Sequence, residues 1–85
     1  MAKTRPISKT MYDVKRINDT LDRYHGYSVE VHNVIDRLMW LKKWGKIPVA
    51  VSNAFIAKAT AIFDGTWHGD EPEERVISNY IHANA

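Results

Sequence analysis

The first part of the chain alternates apolar and polar residues with the period of an amphipathic helix. Apolar side chains recur every three or four positions, at Met11, Val14, Ile17, Leu21 and Tyr24. This spacing places them on one side of a helix. Thr10 is a suitable N-cap and Gly26 a suitable stop, so the pattern predicts a first helix near residues 10–25.

A second helix is predicted near residues 28–44, with Ser28 as its N-cap and a glycine directly after its end. One apolar stripe of this helix consists of Val31, Val34, Ile35, Leu38 and Leu41. At about 3.6 residues per turn, Trp40 and Trp44 lie on the opposite side, together with Arg37. The second helix therefore has two apolar faces.

The third helix is predicted near residues 49–63, and its start depends on whether Pro48 or Ser52 begins it. Small residues form one stripe, at Ala50, Ala54, Ala57 and Ala61. Bulkier residues form another, at Val51, Phe55, Ala59 and Ile62. The main polar positions are Asn53, Lys58 and Thr60. Such a helix must be buried on most sides. We expect it to be central, or to form a subunit interface at which the four alanines let two backbones approach closely.

A final helix is predicted near residues 71–82, after a loop bounded by glycines. Asp70 followed by Glu73 matches a capping box, and Pro72 suits the first turn. The predicted buried face consists of Val76, Ile77, Tyr80 and Ile81. The acidic residues near the start of this helix are explained by its dipole. The whole pattern predicts an all-α fold, a compact bundle of about four short helices.

Residues 1–9 precede the helical pattern. Their basic residues are Lys3, Arg5 and Lys9, and no acidic residue accompanies them. Pro6 favours an extended backbone, so a flexible basic arm is expected. Residues 10–85 are then one helical domain, because 85 residues with 45% apolar and 26% charged side chains suit a single globular unit.

Size and composition restrict the setting of this domain. A domain this small buries only about 60% of the surface of its unfolded chain, so we expect a homo-oligomer or a partner to complete the fold. Cysteine is absent, which excludes disulfides and thiolate sites and suits a reducing compartment. No apolar run approaches the roughly 18 residues of a spanning helix, and the first residues are polar. We therefore expect no membrane segment, no secretory signal and a cytoplasmic location.

The net charge of +2 conceals an uneven distribution. Residues 1–50 carry ten basic and five acidic side chains, a balance of +5, and residues 51–85 carry two basic and five acidic ones, a balance of −3. Basic and aromatic residues coincide most closely at Arg37, Trp40, Lys42, Lys43, Trp44 and Lys46. This asymmetry favours an oriented contact with an anionic partner or a head-to-tail contact between subunits.

Three interpretations of this basic and aromatic segment remain open. Together with Lys3, Arg5 and Lys9 it has the composition of a nucleic acid interface, because cations neutralise phosphates and indoles stack on unpaired bases. Tryptophan and arginine also dominate many protein interfaces. In the third interpretation both tryptophans pack within the bundle as part of its core.

The sequence offers little support for catalysis. His68 with Asp64 and Asp70 is the best set for acid-base or metal chemistry, but its spacing is not diagnostic. No P-loop, glycine-rich dinucleotide turn, HExxH motif or EF-hand loop is present. A helix-turn-helix reader of duplex DNA is disfavoured, because the third helix offers only Asn53 and Lys58 to base edges. We expect no enzymatic activity, cofactor, metal or small-molecule substrate.

Two segments resemble the Hha/YmoA family of small nucleoid-associated modulators. The first is Pro6-Ile7-Ser8-Lys9-Thr10-Met11-Tyr12, with Thr20-Leu21-Asp22-Arg23 further on, and the second is Trp44-Gly45-Lys46-Ile47-Pro48. The interval between them is shorter than the family's by about one helix, and nothing after Phe55 has a counterpart. The resemblance implies an all-helical, non-enzymatic protein that docks on a nucleoid-structuring protein and adds basic surface toward DNA.

These observations predict a small non-enzymatic helical regulator or inhibitor that binds a macromolecular partner through its basic and aromatic face. The partner is a host protein or a protein-nucleic acid complex. An origin in a phage or another mobile element fits this plan and would place the protein in the host cytoplasm. One alternative is a protein that binds RNA or single-stranded DNA without sequence preference. Another is a structural component that self-assembles through the alanines of the third helix.

Overall fold

A computed structural model describes residues 9–84 of the chain and shows four α-helices. They are α1 (Lys9–Asp22), α2 (Val29–Lys43), α3 (Val49–Asp64) and α4 (Pro72–Asn84). No strand occurs within residues 9–84, and the prediction of a compact all-α bundle is confirmed. Lys3 and Arg5 of the predicted arm lie outside the described residues. Lys9 is already helical, so its assignment to a flexible arm is wrong.

Helix α1 has the predicted buried face but different ends. Its buried residues are Met11, Val14, Ile17 and Leu21. Thr10 lies within the helix, so the prediction that it is the N-cap is wrong. The helix ends at Asp22 rather than near residue 25. The amides of Arg23 and Tyr24 bond to carbonyl oxygens three residues earlier, which tightens and closes the last turn.

Both ends of α2 are closed by the residues that the sequence indicated. The Ser28 hydroxyl accepts a hydrogen bond from the backbone amide of Glu30 at 3.2 Å. After the helix, Gly45 has a φ of +67°, and the amide of Lys46 donates to the carbonyl oxygen of Leu41 at 3.0 Å. This left-handed closure turns the chain back beside the end of α2. The buried stripe contains Val31, Val34, Leu38 and Leu41.

Helix α3 is central, because its packing against α2 and α4 is more extensive than the packing of any other helix pair, and it also contacts α1. Its buried apolar residues include the predicted set of Val51, Phe55, Ala59 and Ile62. The helix begins directly after Pro48. Ser52 is buried within it, and the Ser52 hydroxyl donates to the Pro48 carbonyl oxygen at 3.1 Å. Of the two possible starts, the structure selects Pro48.

Two predictions for α3 need correction. Lys58, one of the main polar positions and one of the two side chains considered for base edges, is completely buried. Ala54 is also buried, because it is the member of the alanine stripe rotated furthest toward the core-facing residues. Ala50 and Ala57 are exposed and Ala61 is partly buried. Ala54 therefore belongs to the core of the monomer and is not available to a second subunit.

The start of α4 differs from the predicted capping box by one residue. The helix begins at Pro72, so Glu71 rather than Asp70 precedes it. The Glu71 carboxylate accepts hydrogen bonds from the backbone amides of His68 at 2.9 Å and Gly69 at 2.7 Å. Glu71 thus holds the preceding loop against the start of the helix.

The buried face of α4 is narrower than predicted. Ile77 is fully buried, and Tyr80 and Ile81 pack against the core while partly exposed. Val76 is exposed, so its assignment to the buried face is wrong. Across residues 9–84, no helix combines the length and apolar character needed to cross a membrane.

Candidate functional site

An open groove of about 610 Å³ lies between the first turns of α1 and the end of α2. We call it the basic-aromatic groove. Its lining residues are Lys9, Thr10, Tyr12, Asp13, Arg16, Arg37, Leu41, Trp44 and Lys46. Four of these side chains are cationic and one is anionic, so the groove has an excess of positive charge.

Helical spacing explains how the chain assembles this groove. Helix α1 contributes residues that are three and four positions apart and share one side, namely Lys9, Tyr12 and Arg16. Helix α2 and the residue that caps its end contribute a second set with the same spacing, namely Arg37, Leu41 and Trp44. The glycine turn after α2 adds Lys46. Two helix faces and one turn therefore converge on a single site.

One ion pair joins the two walls of the groove. Both Nε and Nη2 of Arg37 lie 2.8 Å from Oδ2 of Asp13. The one carboxylate of the lining is therefore already compensated. Among the described residues, Lys9, Arg16 and Lys46 have neither an ion pair nor a side-chain hydrogen bond. Their charges are available to an anion from outside.

An exposed pair of indoles adjoins the groove. Trp40 is 48% exposed and Trp44 is 55% exposed. Their ring centroids are 5.2 Å apart and their planes are inclined by 37°. The ammonium of Lys43 lies 5.1 Å from the centroid of the Trp40 ring, within the range of a cation-π contact. The interpretation that both tryptophans belong to the core is therefore wrong.

The structure brings together most of the described part of the predicted binding surface. Of the predicted residues, four line the groove, namely Lys9, Arg37, Trp44 and Lys46, and two more, Trp40 and Lys43, lie beside it. Lys42 is engaged elsewhere, because its ammonium donates to Oδ1 of Asn53 at 2.9 Å. Tyr12 and Arg16 were not predicted. The sequence feature that indicates them is their spacing, because residues three and seven positions after Lys9 lie on the same helix face as Lys9.

A second concentration of charge lies in the interior, around Lys58. Its ammonium donates to Oδ1 of Asn18 and Oδ1 of Asp22, both at 2.9 Å, and to Oε1 of Glu74 at 2.8 Å. The centroid of the Trp67 ring is 5.6 Å away. We call these five residues the Lys58 cluster. Three acceptors satisfy the three donors of the ammonium, and the cluster ties α3 to both α1 and α4.

The spacing of apolar residues in α3 indicates that Lys58 faces the core. Lys58 follows Phe55 by three residues and precedes Ile62 by four, which places it on the core-facing side of α3. Its charge predicts exposure, because lysine is almost never fully buried unless it is paired. Its partners come from distant parts of the chain, so only the folded structure reveals the pairing. The cluster serves the fold rather than a ligand.

The acid-base set considered for the loop does not assemble. His68 uses its backbone amide to bind Glu71, and no hydrogen bond joins its side chain to Asp64 or Asp70 in the described part of the chain. Within residues 9–84, no group of three or more histidines and carboxylates is placed to hold a metal ion.

Glu71 has a shifted pKa with an identifiable origin. The pKa of its carboxyl lies below the ordinary value of 4.5. Desolvation is the largest single influence and acts to raise it. Hydrogen bonds from the backbone amides of His68, Glu71 and Gly69, together with the charge of His68, outweigh that influence. The charged carboxylate is therefore the form that fits this loop.

No protein-family model, curated protein or solved structure matches the chain. The resemblance to the Hha/YmoA family stays a prediction. Both similar segments do contribute to the groove, the first through Lys9 and Tyr12 and the second through Trp44 and Lys46.

Proposed function

We propose that this chain is a small non-enzymatic regulator or inhibitor that acts by binding an anionic macromolecular partner at the basic-aromatic groove. The observation that carries the proposal is that Lys9, Arg16 and Lys46 line one groove without an ion pair among the described residues. Cations held near one another repel, and a bound anion relieves that repulsion. The partner is expected to present several negative charges along its surface, in the cytoplasm of a host if the chain is phage-encoded.

The aromatic residues support the same proposal. Trp40 and Trp44 stand about half exposed beside the groove, and Tyr12 exposes its ring within it. Clustered exposed apolar side chains are typical of interaction sites. Tryptophan and arginine are also enriched among the residues that dominate binding energy. Charge would orient the partner, and the rings would supply most of the affinity.

A capture experiment tests this proposal. The wild-type chain is immobilised and exposed to an extract of the cells that produce it. The variant Trp40→Ala/Trp44→Ala is expected to lose the partner and to keep its helical content in circular dichroism, because both rings lie outside the core. Val29→Ala, also exposed but at the other end of α2, is the matched control and is expected to retain the partner. Equal capture by wild type and the tryptophan variant would contradict the proposal.

Self-association is a separate prediction, and its surface is smaller than the sequence indicated. With Ala54 in the core, three of the four alanines remain accessible on α3, namely Ala50, Ala57 and Ala61. Sedimentation velocity over a wide concentration range tests this prediction. A monomer at every concentration would exclude self-assembly through α3.

A further inference from the structure

We infer that the ligand of the basic-aromatic groove is an unpaired nucleic acid strand, bound without strong sequence preference. This inference rests on the proposed function and names the class of its partner. The groove combines the unpaired charges of Lys9, Arg16 and Lys46 with the half-exposed ring of Trp44. A single strand has the complement of both, because its phosphates neutralise cations and its bases present flat faces to aromatic rings.

The chain itself offers no well-matched occupant for this groove. The segment before α1 carries Lys3 and Arg5 and no acidic residue, so it has the same sign of charge as the groove. In a second copy, two of the four acidic residues near the start of α4 are engaged within their own fold. Glu71 binds two backbone amides and Glu74 binds Lys58. An external polyanion matches the groove better than either segment.

Duplex DNA also fits the described surface poorly. Of the two side chains that α3 offers to base edges, Lys58 is buried and Asn53 accepts a hydrogen bond from Lys42. The remaining exposed positions of α3 include Ala57 and Thr60, which carry no charge. An exposed indole contributes most when an unstacked base can lie on it. Bases within a duplex are already stacked on one another and cannot do so.

An acidic peptide matches the charges of the groove but not its ring. Carboxylates pair with lysine and arginine, yet they carry no aromatic ring that can stack on an indole. Trp40 already has the ammonium of Lys43 near its ring, whereas Trp44 lines the groove itself. A base stacked on Trp44 would lie among the cations that hold its phosphates. Every base has such a face, so this recognition tolerates any sequence.

Fluorescence anisotropy at about 50 mM salt tests the inference on the full chain. The probes are labelled oligouridine and oligothymidine of about 12 nucleotides, a duplex of equal length and a polyglutamate peptide. The single strands are expected to bind at least about tenfold more tightly than the duplex or the peptide. Trp44→Ala should weaken single-strand binding by about tenfold, the usual effect of losing one stacked base.

Charge variants provide an independent readout. Arg16→Gln is expected to reduce the slope of log affinity against log salt by about 0.7, the value for one phosphate contact on a single strand. Arg75→Gln is the matched control, since Arg75 is an exposed arginine of α4 outside the groove, and it should leave affinity and slope unchanged. If Trp44→Ala loses helical content, the double variant Arg16→Gln/Lys46→Gln replaces it.

Three results would overturn the inference. A duplex that binds as tightly as the single strands is one, and full single-strand affinity in Trp44→Ala is another. Tighter binding of polyglutamate is the third, and it would leave the proposed function standing with an acidic protein as partner. The proposed function fails by a different readout, namely capture from the extract that does not depend on Trp40 and Trp44.

Discussion

The Lys58 cluster and the basic-aromatic groove contain the same chemical groups in opposite surroundings. In the cluster Lys58 lies 5.6 Å from the Trp67 centroid, and directly beside the groove Lys43 lies 5.1 Å from the Trp40 centroid. Lys58 is completely buried and bonded to three acceptors, whereas the groove cations are exposed and mostly unpaired. A buried ammonium must be compensated by the protein, but an exposed one can exchange water for a ligand. Compensation of charge, more than residue type, distinguishes the two regions.

Replacing Lys58 tests the buried region and should have the largest effect. Lys58→Ala leaves a cavity and removes the cation that pairs with Asp22 and Glu74, so we expect the free energy of unfolding to fall by about 3 kcal/mol. Lys58→Met keeps most of the volume and should cost clearly less, because both carboxylates retain some contact with water. Urea titrations followed by circular dichroism measure both losses.

The same variants test the separation of the two regions. Lys58→Met should bind the groove ligand with wild-type affinity, because Lys58 does not line the groove. Unchanged stability in Lys58→Ala would mean that the cluster is not important for the fold. A large loss of ligand affinity in a folded Lys58→Met variant would mean that the two regions are coupled.

The two carboxylates that bind Lys58 should differ in strength because they differ in exposure. The side chain of Glu74 is 31% exposed and that of Asp22 is 58% exposed. Glu74 also approaches with both oxygens, at 2.8 and 3.2 Å. We expect Glu74→Gln to cost about 1–2 kcal/mol and Asp22→Asn less than about 1 kcal/mol. Urea titrations compare the two, and an equal loss would contradict the dependence on exposure.

The helices were predictable because each has a regular apolar period and a recognisable end. The stripe of α1, the Ser28 cap and the glycine closure at Gly45 are local features, and the structure retains them. Two of the errors concern the residue at which a helix begins. Thr10 and Asp70 are residue types that often cap helices, but α1 begins two residues before the position that Thr10 would require and α4 begins one residue after the position that Asp70 would require.

The site was only partly predictable, because helix packing creates it. Trp44 and Lys46 were indicated by composition, but Arg16 belongs to α1, and nothing local shows that α1 lies beside the end of α2. The sequence also did not determine the exposure of Trp40, because it does not show whether another helix covers the second apolar face of α2. Lys58 shows the reverse problem. Its position in the core stripe was visible in the sequence, but its charge argued for the surface.

The Glu71 carboxylate is compensated by backbone amides. We expect its contribution to stability to be smaller than that of Lys58 and to depend on pH. Its pKa lies below the ordinary 4.5, although desolvation, the largest single influence, acts in the opposite direction. The folded state therefore binds this proton less tightly than the unfolded state. The stabilisation is present above about pH 4.5 and is lost as pH falls through the lower folded pKa.

Glu71→Ala should accordingly have a lower melting temperature than wild type at neutral pH. The difference should narrow below about pH 4.5, because wild type then loses the charged acceptor as well. Melting curves between neutral and acidic pH measure this difference. Glu73→Ala is the matched control, since no side-chain hydrogen bond of Glu73 is present among the described residues. A difference that stays constant with pH would contradict the role of the charged form.

The ion pair between Arg37 and Asp13 gives the sharpest comparison with Lys58, because its closest distance of 2.8 Å equals that between Lys58 and Glu74. The side chains of Arg37 and Asp13 are 54% and 25% exposed. Water and salt screen such a pair, so a double-mutant cycle should give a coupling of only about 0.5 kcal/mol, which decreases as salt is added. Coupling as strong as that between Lys58 and Glu74 would mean that distance rather than exposure sets the strength.

Asp13→Ala should also separate stability from binding. The substitution removes the carboxylate from the groove and frees Arg37, so the affinity for a single strand should rise while the free energy of unfolding falls slightly. The slope of log affinity against log salt should steepen by about 0.7, because one more cation becomes available to a phosphate. Anisotropy titrations at several salt concentrations measure both quantities. If the groove binds a ligand, Asp13→Ala should therefore lower stability and raise affinity. A loss of both stability and affinity would mean that this ion pair, like the Lys58 cluster, serves the fold.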